Sequence, residues 1–74
     1  MSEQTLNAEG LNCPLPIIKA KKMLKGMAAG DVLNIRATDP GSVADFAAFC
    51  NQTGNKLLAS GSEGDVYTFQ IKRA

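Results

Sequence analysis

Apolar residues recur at two periods along this chain, and the changes between them divide it into six elements. "QTLNA" (Gln4 to Ala8) alternates, placing Leu6 and Ala8 on one side of a short strand. From Pro14 the period lengthens. Ile17, Ala20, Leu24 and Met27 form a helical stripe with Ile18 at its border, while Lys19, Lys21, Lys22 and Lys25 project elsewhere. Gly26 and Gly30 bracket the predicted end of that helix. "DVLNIRA" alternates again, with Leu33, Ile35 and Ala37 opposite Asn34 and Arg36. A second helix is predicted within "TDPGSVADFAAFCNQTG", capped by Asp39 before Pro40 and stopped at Gly54, with Val43, Phe46, Ala47 and Cys50 on its inner face. "KLLAS" and "VYTFQIK" read as two further strands joined by "GSEGD", and Tyr67, Phe69 and Ile71 share a face of the last.

The order is therefore β-α-β-α-β-β. Most of the strands are apolar on one face only, which predicts an α+β fold: a two-layer α/β sandwich with a mixed four-stranded sheet and two helices on one face. Right-handed crossovers make the first three strands run in one direction, and the closing hairpin reverses the fourth. At 74 residues the chain is read as one domain, 1–74.

Composition narrows the function classes. A hydrophobic share of 45% with 20% charged residues is globular rather than disordered. A net charge of +1 argues against direct nucleic-acid binding or attachment to an acidic membrane. The opening "MSEQTLNAEG" has neither a basic segment nor an apolar run, and two cysteines make no secreted-type disulfide framework, so a reducing cytoplasm is expected. Without histidine, and with Cys13 and Cys50 far apart in sequence, a protein-built zinc site is not expected. No cofactor is expected either, and the chain is read as a monomer.

Cys13 stands apart from this background. Proline suits the first turn of a helix, where its missing N–H would have no intrahelical partner, so Pro14 and Pro16 predict Cys13 as the N-cap. Cysteine is a poor residue for capping alone. A helix N-terminus carries roughly half a positive charge, which favours thiolate, and Lys19 and Lys22 follow on the next turns. The segment thus reads as an exposed, rigidly aimed nucleophile, against the plainer reading of a small residue plugging a helix end. Cys50 lies on an apolar stripe and reads as core. The lysines are either a solvated face or a docking surface for an acidic partner.

The stretch "GLNCPLPIIKAKKML", with "AAGDVLNIRATDP" and "DFAAFCNQTGNKLL" behind it, resembles the TusA/SirA-like sulfur carriers over nearly the whole chain. The resemblance implies the same β-α-β-α-β-β fold and a sulfurtransferase acting as a relay. Cys13 would hold sulfur as a persulfide, with Pro14 and Pro16 shaping the site. A cysteine desulfurase or rhodanese would be the donor, and a further protein the acceptor. Leu15 stands where the family member devoted to tRNA thiolation has Glu, so the resemblance does not choose among tRNA thiolation, sulfur oxidation, molybdenum-cofactor synthesis and selenium metabolism. Lys19 and Lys22 are the candidate partner-docking residues.

Two other classes compete with this reading. A thioredoxin-like protein needs a second cysteine beside Cys13, and Pro16 occupies that position. A small RNA-binding or protein-interaction module without sulfur transfer remains the alternative, although the charge and the lack of an aromatic RNA-binding signature speak against RNA.

Overall fold

The elements β1 (Glu3–Ala8), α1 (Leu15–Lys25), β2 (Val32–Ala37), α2 (Ser42–Thr53), β3 (Lys56–Glu63) and β4 (Val66–Lys72) follow one another in the computed structural model, which describes residues 2–74. They form the expected two-layer α+β sandwich, with a mixed four-stranded sheet in the order β1-β2-β4-β3. β1 and β2 are parallel, in register from Glu3 opposite Val32 to Ala8 opposite Ala37. β4 runs antiparallel to both of its neighbours, so β1, β2 and β3 share one direction.

One face of the sheet carries the core. Leu6, Ala8, Leu33, Ile35, Ala37, Phe69 and Ile71 are buried there with Ala20, Leu24 and Met27 from the α1 side and Phe46, Phe49 and Cys50 from α2. Phe46 is fully buried, its ring 4.8 Å from that of Phe69 and edge-on to Phe49 at 6.5 Å. The opposite face is polar. Asn34 donates to Glu3 Oε1 at 2.6 Å and accepts from Gln70 at 3.1 Å, linking side chains of three adjacent strands.

Three expectations need correction. The inner face of α2 is Ser42, Phe46, Phe49 and Cys50; Val43 and Ala47 are exposed. Asp39 is not the cap of α2. Gly41 holds that position, and Asp39 closes the turn before it by accepting the Gly41 N–H at 3.0 Å and, through its backbone carbonyl, the Ser42 N–H. β3 also extends through Gly61, Ser62 and Glu63, leaving Gly64 and Asp65 as a two-residue turn. The ladder to β4 shifts between Leu57 and Ala59, and β3 is exposed except for half-buried Leu57. Gly54 does end α2 as predicted, in the left-handed region at φ 79°, where its N–H reaches the Cys50 carbonyl.

Candidate functional site

Parallel pairing of β1 with β2 brings their C-terminal ends together, and the loops that leave them meet. Gly10 N–H donates to Thr38 Oγ1 at 2.9 Å, and Cys13 N–H donates to Asp39 Oδ2 at 2.7 Å. The cysteine is therefore fixed through its backbone by the loop before α2, and its side chain is left exposed. Such a position, at the carboxyl ends of parallel strands, is where open α/β sheets present reacting groups.

Cys13 is not an N-cap. That place belongs to Pro14; Pro16 lies in the first turn, and the Cys13–Pro14 peptide is cis. The expected assistance from the helix end is correspondingly small. A helix N-terminus favours anions through its unsatisfied N–H groups. Here Pro14 and Pro16 have none, and the Leu15 N–H is spent on Asn12 O at 2.8 Å.

The charges nearest the sulfur are negative. Cys13 Sγ and one carboxylate oxygen each of Asp39 and Asp45 lie within 4.8 Å of one another. The thiol is held above its ordinary pKa, first by its hydrogen bond to the Asp45 carboxylate, then by desolvation, then by repulsion between a thiolate and the charges of Asp45 and Asp39. The expectation of an activated, low-pKa thiol is thus reversed. Proline chemistry in the first turn and two acids reached only through the fold outweigh what remains of the helix dipole.

A shallow groove of about 210 Å³ between α1 and α2 holds Cys13, Pro14, Ile17, Asp45, Ala48, Phe49 and Gln52. On the outer side of α1, Leu15 and Ile18 are 45% and 54% exposed. They occupy the same face as exposed Lys19 and Lys22, since positions i, i+3, i+4 and i+7 line up on a helix. Sequence reasoning singled out Cys13, the prolines and the lysines but missed both Asp45 and the exposed apolar pair. Cys50 is buried 37 residues along the chain, with its thiol pushed up by burial, as a core residue should be. The trio Cys13, Asp39 and Asp45 is also the set of potential metal ligands that the described residues bring together. One sulfur and two oxygens fall short of the four ligands of a structural zinc site, and both Asp39 oxygens already accept backbone N–H groups.

Comparison with known proteins identifies the family of the chain. Residues 4–73 match the family model described as Sulfurtransferase TusA. The sulfur carrier protein TusA of Allochromatium vinosum is 57% identical over 72 residues, covering 97% of this chain and 95% of that protein. A putative sulfur carrier protein of Neisseria meningitidis serogroup A is 49% identical, with 97% of each chain covered. The crystal structure of a SirA-like protein from Desulfitobacterium hafniense superposes with a TM-score of 0.83 at 25% identity, covering 93% of this chain and 95% of its own. The chain belongs to the TusA family of sulfur carriers.

Proposed function

We propose that this member of the TusA family accepts sulfane sulfur as a persulfide on Cys13 from a cysteine desulfurase or rhodanese and relays it to an acceptor protein. The observation that carries the reading is the contrast between the two thiols: Cys13 is exposed and pinned by Asp39, and Cys50 is buried in the core. A relay requires one accessible sulfur that can be attacked and can leave, without a resolving cysteine to trap it as a disulfide. Pro14 and Pro16 limit the backbone freedom of the segment that presents it. Leu15 and Ile18 offer apolar contact area, and Lys19 and Lys22 beside them a positive rim for acidic partners. No described helix is long and apolar enough to cross a membrane, and the expected partners are proteins met by diffusion in the cytoplasm.

Incubation with a cysteine desulfurase and free cysteine, or with a rhodanese and thiosulfate, should add the mass of one sulfur atom. Dithiothreitol should remove it, and Cys13→Ser should never acquire it. Lys19→Glu combined with Lys22→Glu should slow loading from the protein donor without altering the labelling of Cys13 by a small reagent. Failure to load from either donor with Cys13 reduced would overturn the carrier reading in favour of an interaction module.

A further inference from the structure

We infer that Asp45 is the proton acceptor and donor for Cys13 during sulfur transfer, a role that rests on the carrier reading above. The two acids beside the sulfur are engaged differently. Asp39 uses Oδ2 for the Cys13 N–H and Oδ1 for the Gly41 N–H, so it positions the loop. Among the described residues no backbone N–H donates to the Asp45 carboxylate. It projects from the first turn of α2, half-buried, into the groove that Cys13 enters. Asp39 and Asp45 are the charged groups that meet the sulfur there; the other polar side chain lining the groove, Gln52, is neutral.

This setting is a handicap for a free thiolate. An anion at Cys13 is repelled by both carboxylates, and a thiol with a raised pKa is a poor leaving group in the discharge step. Both difficulties disappear if the proton moves with the sulfur. In loading, the Cys13 S–H bond breaks towards Asp45 while Sγ attacks the outer sulfur of the donor persulfide. A Cys13–sulfur bond forms, the donor's sulfur–sulfur bond breaks, and the departing donor thiolate takes the proton from the Asp45 carboxyl. The sum is thiol plus persulfide giving persulfide plus thiol, with no oxidant or reductant consumed. In discharge the acceptor thiol gives its proton to Asp45, which returns it to Cys13 Sγ as that sulfur leaves. General acid–base assistance of this kind needs a group close to the moving proton, and an Asp45 carboxylate oxygen lies within 4.8 Å of Sγ on the wall of the same groove.

The test compares two reactions of Cys13 in the full chain, using glutathione persulfide as donor so that protein docking plays no part. Asp45→Asn should load sulfur about tenfold or more slowly than the wild type. The same variant should be alkylated by iodoacetamide faster at pH 7, because a repelling charge has gone. Asp45→Glu should recover most of the loading rate. Matching melting curves establish that each variant is folded, and Asp45→Ser is read in the same way if Asp45→Asn does not fold. Loading by Asp45→Asn as fast as the wild type, or accelerated in parallel with alkylation, would overturn the proton role and leave the carrier reading intact. A wild type that accepts no sulfur at all would sink both.

Discussion

Asp39 Oδ2 accepts the backbone N–H of Cys13 at 2.7 Å, joining the loop that follows β1 to the loop that follows β2 across 26 residues of chain. The other oxygen of that carboxylate accepts from Gly41 in its own loop. One side chain thereby fixes the sulfur-bearing segment relative to the start of α2, from which Asp45 projects.

Asp39→Ala should therefore affect sulfur transfer more than stability. The bonds it loses are exposed, so the cost to folding should be only about 1 kcal/mol by urea denaturation. Loading from glutathione persulfide should slow beyond what that cost explains, because Cys13 is no longer held against Asp45. A variant that loads at the wild-type rate would show that this bond does not position the sulfur.

The two thiols should separate cleanly by exposure and by pH. Cys13 should be alkylated by iodoacetamide well before Cys50 in the native protein, followed by mass spectrometry against Cys13→Ser and Cys50→Ser controls. Only thiolate reacts, and the Asp45 hydrogen bond holds Cys13 above its ordinary pKa. Its labelling rate should keep rising with pH beyond about 8.5, where an ordinary thiol begins to level off. A plateau near neutral pH would contradict the acidic setting of the sulfur.

Asp31 predicts an acid-sensitive junction at the far end of the sheet. Its carboxylate accepts the Ser2 and Ala28 N–H groups, each at 2.9 Å, and these bonds hold its pKa below the usual carboxylate value. The unfolded chain therefore binds the proton first, and the unfolded Asp titrates near pH 3.9. The stabilisation is fully present above that value and is lost as pH falls through the lower folded pKa. Asp31→Asn should flatten the acid limb of the melting temperature below about pH 4. An acid limb identical to that of the wild type would remove Asp31 from the account.

Much of this architecture was legible in the sequence because period and burial coincide in it. Leu33, Ile35 and Ala37 alternate into the core as β2, and Ala20 and Leu24 mark the buried side of α1. α2 was harder to phase. Ala47 and Ala48 separate its two phenylalanines, and its first buried residue is Ser42, which no apolar stripe would include. β3 lies at the sheet edge, where the ladder to β4 rather than an apolar face defines it. At the candidate site, the CPLP segment pointed to an exposed cysteine, and the structure exposes Cys13. Its chemical character was hidden because Asp45 lies 32 residues beyond it and reaches the sulfur only once α2 packs beside α1. Local proline and helix rules pointed towards thiolate, and the tertiary fold decided for thiol.

The strand order β1-β2-β4-β3 has a consequence for how such a site comes into being. Two-stranded sheets are marginal by themselves, and before β4 enters, this chain has only the β1–β2 pair on one side and, on the other, a hairpin still to form. The sheet closes when Ile35 meets Phe69 and Leu33 meets Ile71, pairings distant in sequence that add loop-closure cost to the folding barrier. Until then only the isolated β1–β2 pair holds those two C-terminal ends side by side. A chain interrupted anywhere within β4 would still contain Cys13, Asp39 and Asp45, yet not the closed sheet on which they come within 4.8 Å of one another.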